Sequence, residues 1–262
     1  MPTSPDTPIW LHYGILCLCA AVAGGMNAVA GGGTLLTFPA LMSFFGPQGA
    51  VLANATSTVA LFPASLSSIY AYREDLQPLR RWITLLAAPS LLGGLVGALL
   101  LTQLPKEWFA AAVPWLIFTA ALLFALQPHI ARWVGIGKPH EQPHAGTLAA
   151  VLVFQFFVAV YGGYFGAGIG ILMLSALAMI GLNDIHAMNG LKAVLGSLIN
   201  GVAVAIFIWD GQVDWTLAAM MCVSSSLGAY GTARIARKLN RTFIRWCVIV
   251  IGFSLAAFYF WK

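Results

Sequence analysis

One stretch of this sequence occurs twice. Ala23-Gly24-Gly25-Met26-Asn27-Ala28-Val29-Ala30-Gly31-Gly32-Gly33-Thr34-Leu35 returns as Val160-Tyr161-Gly162-Gly163-Tyr164-Phe165-Gly166-Ala167-Gly168-Ile169-Gly170-Ile171-Leu172. Gly46 and Asn54 return as Gly181 and Asn189, and Gly93, Ala98 and Leu104 return as Gly228, Ala233 and Leu239. A duplication confines the chain to folds assembled from two copies of one unit. Both copies here are apolar and interrupted by glycine. That is the sequence form of a secondary transporter whose site lies where the repeats meet.

Composition fixes the solvent. The chain is 60% hydrophobic and only 8% charged, whereas a soluble domain carries about 25% charged residues. No soluble fold hides that much apolar surface, so the chain belongs in a lipid bilayer. The apolar runs are long and unbroken, which specifies helices and not an outer-membrane barrel. The net charge of +5 comes from lysines and arginines in loops, at the membrane surface; no basic, aromatic-interleaved platform for nucleic acid is present. Cys17, Cys19, Cys222 and Cys247 all lie in apolar stretches, without CxxC or Cys/His clustering. Neither a metal nor a cofactor is therefore expected. Met1–Pro8 holds no Lys or Arg, unlike the start of a secretory signal, so Leu11–Ala30 reads as a retained membrane segment.

The apolar runs fall at 11–30, 34–45, 51–72, 82–103 and 108–126, and again at 147–166, 168–180, 185–209, 215–233 and 246–261. The organisation is thus a tail (1–10), a first membrane repeat (11–126), a Pro- and His-rich linker (127–146) and a second repeat (147–262). The runs 34–45 and 168–180 are too short to cross a ~30 Å hydrocarbon core at 1.5 Å per residue. They read as half-helices, turned back by the glycines before them. Irregular backbone at that depth survives only where protein or a watery cavity satisfies it.

Loop charge sets the relative orientation of the halves. Arg73, Arg80 and Arg81 surround the loop after 51–72, while the equivalent loop at Asp210 and Asp214 has no cation. Conversely, the loop near Lys106 has one, and its equivalent carries Arg234, Arg237, Lys238, Arg241 and Arg245. The basic loop has changed place within the repeat. Under the positive-inside rule, equivalent loops then face opposite compartments. The expected fold is an all-α polytopic membrane protein with about eight membrane segments. It is an internally duplicated bundle of inverted repeats with glycine-broken or re-entrant half-helices. A parallel four-plus-four duplication is the rival arrangement.

Several motifs resemble one family. Gly31-Gly32-Gly33-Thr34-Leu35-Leu36-Thr37-Phe38-Pro39, Ala53-Asn54-Ala55-Thr56-Ser57, Gly211-Gln212-Val213-Asp214-Trp215 and Gly228-Ala229-Tyr230-Gly231-Thr232-Ala233-Arg234 are similar, in order and twofold layout, to the sulfite exporter TauE/SafE family. The second half departs from the pattern where Ala167 and Ile169 interrupt the glycine run, and Thr232 stands where glycine is common. The resemblance implies a bacterial inner-membrane permease for sulfite or sulfur-containing organic anions. It carries the fold further than the ligand.

Among residues that carry chemistry, Lys192 stands first. It alone of the thirteen Lys and Arg lies well inside an apolar run, ~12 Å along a helix counted from Asp184. A cation there costs a few kcal/mol. A substrate anion would complete the site; the alternative is a stem that snorkels to the interface or caps a carbonyl. Asn54 and Asn189 hold equivalent positions. With Thr56, Ser57 and Thr58, Asn54 offers donors beside a half-helix end, where unpaired N–H groups suit an oxyanion. N-capping or interhelical hydrogen bonding is the structural alternative. Gly31, Gly32, Gly33, Gly166, Gly168 and Gly170 permit a sharp turn and bare N–H groups facing a ligand, or close helix packing. Tyr161, Tyr164, Gln155, Asn27 and Asn200 read as packing contacts, and Asp214 as an N-cap. Trp82, Trp108, Trp209 and Trp215 read as interfacial anchors.

The leading function is a secondary anion transporter that uses alternating access, its substrate held by Lys192, the asparagines and the half-helix ends. Its partners would be a small anion and the lipid bilayer, with homo-oligomerisation left open. No Walker motif provides for ATP hydrolysis. An intramembrane enzyme would need deep histidines, HExxH or GxSxG, which the sequence lacks. A membrane scaffold would explain packing glycines but leave Lys192 and the duplicated broken helices without a role. A carboxylate or other solute is the remaining alternative ligand.

Overall fold

The computed structural model describes residues 9–29, 32–133, 145–182, 184–235 and 241–261. Its described residues form ten α-helices, five in each half. The first half holds α1 (Ile9–Val29), α2 (Thr34–Phe45), α3 (Ala50–Ala71), α4 (Arg80–Gln103) and α5 (Lys106–Trp133). The second holds α6 (Ala145–Tyr164), α7 (Ile169–Met179), α8 (Ile185–Trp209), α9 (Trp215–Ile235) and α10 (Arg241–Trp261). Each apolar run became one helix, because apolar side chains and an internally satisfied backbone leave little else for it to form in lipid. Six helices (α1, α3, α4, α5, α6 and α8) are by length and composition able to cross a membrane. Only α2 (12 residues) and α7 (11 residues) are of half length. Helix α5 runs past the expected boundary to Trp133, where Arg132 Nε donates to the Pro128 carbonyl. The rest of the linker, residues 134–144, lies outside the described residues, as do the tail 1–8 and Gly31.

Packing follows a pseudo-twofold axis. The most extensive pairings are α4 on α6 and α1 on α9, which are repeat equivalents of each other. The pair α3–α9 is matched by α8–α4, and α3–α8 and α5–α10 pair each helix with its own equivalent. These last two pairs settle the orientation. Phe62 lies beside Gly201 and Tyr72 beside Gly190, so α3 and α8 run antiparallel. Trp115 meets Phe260, while Ala121 meets Gly252, so α5 and α10 are antiparallel too. Equivalent helices running in opposite directions define an inverted repeat, and the parallel duplication is excluded for the described residues.

The faces of the bundle now follow. The Asp214 N–H donates to Thr56 Oγ1, and Ser225 Oγ donates to the Ala60 carbonyl, so α9 runs alongside α3 in the same direction. One face therefore collects the end of α3, the start of α4, the end of α9 and the start of α10, with Arg73, Arg80, Arg81, Arg234, Arg241 and Arg245. The opposite face has Lys106, whose Nζ donates to Gln212 Oε1. It is ringed by exposed Trp108, Trp209 and Trp215, as expected of interfacial anchors, together with Trp10. Trp82, by contrast, is partly buried at the start of α4 on the basic face. Thiol probes attached near Arg80 and near Asp210 are accordingly expected to react from opposite sides of sealed vesicles. Reaction of both from one side would end this topology.

Glycine draws the two halves together. A Cβ on Gly97 would land on the Val160 carbonyl, and one on Gly163 on the Gly94 carbonyl, along the α4–α6 seam. In the α1–α9 seam, Gly24 meets the Ser225 carbonyl and Gly228 the Ala21 carbonyl. Helices in lipid gain their association from such close backbone approach. Both tight seams join one half to the other.

Candidate functional site

The two half-helices begin inside the bundle, and a cavity lies at their starts. After Tyr164 the chain turns through Gly166 (φ 83°) and Gly168 (φ 81°), left-handed conformations that favour glycine, and then enters α7. The Tyr161 hydroxyl donates to the Ala167 carbonyl and fixes this turn. In the first half Gly32 (φ 88°) makes the corresponding turn. The Gly33 N–H donates to Asn27 Oδ1 at 2.8 Å, tying the end of α1 to the start of α2. The Leu35 and Leu36 N–H groups donate to the Gly32 and Gly33 carbonyls, and the Ile171 N–H to the Gly168 carbonyl, so each half-helix start presents chiefly the positive end of its dipole. Gly32 and Thr34 of one start, and Gly168, Ile169 and Gly170 of the other, line the same cavity.

The remaining walls come from α3 and α8. Thr58, Leu61, Ser65, Ser68 and Tyr72 supply one, and Asn189, Lys192, Ala193, Gly196, Ser197 and Asn200 the other. Along α3 the steps are three and four residues, one face of a helix. The cavity measures about 110 Å³. At ~10–15 Å³ for each water, that is room for several waters or one small oxyanion.

Lys192 reaches this cavity half-buried. Its stem lies across Gly170, where an added Cβ would stand 3.1 Å from Lys192 Cδ. Its Nζ donates to Asn189 Oδ1 at 3.0 Å, one turn earlier on α8. The Ser197 hydroxyl is buried with no hydrogen-bond partner among the described residues. A cation, two half-helix starts and a spare hydroxyl around one small cavity form a setting for an anion stripped of most of its water. Gly170→Val is expected to displace the lysine stem. Weaker binding of a small oxyanion such as sulfite, with thermal stability nearly unchanged, is the result that would show it.

The predicted residues do not all meet at the cavity. Gly32, Gly168, Gly170, Asn189 and Lys192 line the cavity. Gly33 is buried against Asn27 just behind it, and Gly31 lies outside the described residues. Asn54, Thr56 and Ser57 are buried away from it. Asn54 Nδ2 donates to the Tyr164 carbonyl, Thr56 accepts from the Asp214 N–H, and the Ser57 and Thr37 hydroxyls share a 2.6 Å hydrogen bond. Asn27 and Asn200, which read as packing residues in the sequence, both line the cavity. Gln155 does make a packing contact, to Ser90 Oγ, and Asp214 Oδ1 caps α9 through the Leu217 N–H. Ser65, Ser68, Tyr72 and Ser197 were not legible as site residues; their signal was the three-and-four spacing of polar residues along apolar helices. Among the described residues no cluster of His, Cys, Asp and Glu could hold a metal ion.

An inverted-repeat helical bundle with broken helices around a central polar cavity is the build of a multi-pass membrane transporter. The chain belongs to the sulfite exporter TauE/SafE family, whose sequence profile matches residues 16–259. It is similar to a probable membrane transporter protein of Haemophilus influenzae, 29% identical over 245 residues, or 93% of this chain and 92% of that one. It is also similar to the probable membrane transporter protein YfcA of Escherichia coli (strain K12), 28% identical over 250 residues covering 94% and 89%. A probable membrane transporter protein, ORF9, of a Sinorhizobium species is 28% identical over 245 residues, covering 92% and 89%. No solved structure gives a significant match.

Proposed function

We propose that this protein is a secondary carrier of small oxyanions, sulfite or a sulfur-containing organic anion, in a bacterial inner membrane. The carrying observation is the convergence of Lys192 and two half-helix starts on one cavity between the repeats. Bare charge in hydrocarbon is expensive, so a carrier must replace the hydration of its anion with fixed dipoles and a counter-charge. The cavity offers both. Because the repeats are inverted, exchanging their conformations would present the same centre to the other side of the membrane, which is alternating access. The basic face is cytoplasmic under the positive-inside rule.

The test is sulfite counterflow in proteoliposomes, with sulfate, acetate and a small sulfonate as competitors. Saturable exchange blocked by some of these and not others is the expected result, and the pattern of competition reports the headgroup. Competition by acetate alone would move the substrate to the carboxylates. Folded protein that exchanges none of these anions would sink the carrier reading for this ligand class.

A further inference from the structure

The cavity is lopsided about the pseudo-twofold axis. Its centre is symmetric: Thr58 and Ala193, Leu61 and Gly196, and Ser65 and Asn200 are repeat equivalents, and all of them line it. Away from the centre the two sides differ. Toward the basic face the lining continues with Ser68, Tyr72, Asn189 and Lys192. Their repeat equivalents toward the tryptophan-ringed face are Ala203, Phe207, Asn54 and Ser57. None of these lines the cavity, and each is 1% exposed or less.

That dry side is packed with rings. Phe38 stands edge-on to Phe165 at 5.3 Å, and Phe109 edge-on to Tyr164 at 5.3 Å. Asn54, within it, holds an unsatisfied atom. Asn54 Nδ2 donates to the Tyr164 carbonyl at 3.2 Å, but Asn54 Oδ1 is buried with no hydrogen-bond partner among the described residues. In the open half the equivalent oxygen, Asn189 Oδ1, accepts from Lys192. A buried amide oxygen left unmet is costly, and few are tolerated without a reason.

We propose that Asn54 is a second anion-binding residue, used when the side toward the tryptophan-ringed face opens, and that Phe38, Phe109, Tyr164, Phe165 and Phe207 form the gate that closes that side here. This rests on the carrier reading above. Opening would part the aromatic rings and release Asn54 Nδ2 from the Tyr164 carbonyl. Water would then satisfy Oδ1, and the freed N–H donors would face the anion. The unmet oxygen thus works against the aromatic packing, so the closed side is held by a difference of opposing effects. A gate must be near such a balance to exchange two states on ligand binding. Because Ser57 replaces Lys192 on this side, the anion is held more weakly from the tryptophan-ringed face than from the basic face.

Two measurements test it. In full-length protein with Cys17, Cys19, Cys222 and Cys247 replaced by serine, single cysteines at Ser68 and Ala203 are probed with a membrane-impermeant maleimide. Ser68→Cys is expected to react from the basic face, and Ala203→Cys to be protected. Adding Phe38→Ala is expected to raise Ala203→Cys labelling from the tryptophan-ringed face about tenfold, with a fall in Ser68→Cys labelling. Continued protection of Ala203→Cys, or simultaneous labelling of both positions from both faces, overturns the gate. The second measurement is KM for sulfite on each face of oriented vesicles. Asn54→Ala is expected to raise KM about tenfold on the tryptophan-ringed face alone, with Asn189→Ala doing so on the basic face. Equal effects of Asn54→Ala on both faces, or none on either, overturn its role. Absence of wild-type flux would fail the carrier reading for sulfite, while the labelling would still decide the gate.

Discussion

Lys192→Ala is expected to lower kcat/KM for anion counterflow at least about a hundredfold. A hydrogen bond to a charged group contributes about 1.5–3 kcal/mol, and each 1.4 kcal/mol is tenfold. The loss in lipid is larger than that contact alone, because without the ammonium the anion would enter an apolar bundle with only dipoles to meet it. Lys192→Arg keeps the charge but needs space for a planar fork, and Gly170 bounds the space available to the stem. It is expected to retain partial flux, and Lys192→Gln very little. Size-exclusion behaviour and thermal midpoint should match wild type, since Lys192 lines a cavity and is only half-buried. Counterflow of Lys192→Ala within about threefold of wild type would return the lysine to the snorkelling role that its long stem also permits.

Gly163→Val is expected to lower stability strongly. A Cβ there would fall on the Gly94 carbonyl and against the Ala98 amide, both of them backbone. Backbone atoms in a helix cannot swing aside as a long side chain can. Relief requires α4 and α6 to separate, and their seam is one of the two most extensive contacts in the molecule. Overpacking of this kind costs about 1–3 kcal/mol in a core that can adjust, and more where the contact is backbone. Gly228→Val presses on the Ala21 carbonyl in the equivalent seam and is expected to behave alike. Loss of monodisperse protein in detergent, or a large drop in thermal midpoint, would show it. A Gly163→Val protein as stable as wild type would mean that the seam is looser than its geometry states.

The helices were legible because, in lipid, the length of an apolar run is nearly the length of the helix. Runs 34–45 and 168–180 announced half-helices through length alone, and α2 and α7 occupy almost those residues. Charge gave the inversion, since a basic loop that changes place between repeats has few other causes. The site was less legible. Serine and threonine in membrane helices serve packing as well as ligands, so Ser65 and Ser68 carried no mark except their spacing, and Thr58 was marked only as a neighbour of Asn54. Asn27 holds Gly33 and lines the cavity as well, and sequence cannot separate those two uses. Asn54 was singled out by the repeat, which makes both sides of the axis equal candidates, and Thr56 and Ser57 by their hydroxyls next to it. The folded molecule opens one side only, and these three residues lie on the other.

The crossed seams also bear on how such a chain could have arisen. Helix α1 finds its tightest partner in α9, and α4 finds its own in α6, so a single five-helix half would leave two glycine-lined backbone grooves uncovered. A second copy inserted upside down would fill both grooves at once. The seams among the described helices would thus serve an antiparallel pair of half-length polypeptides as well as a single chain.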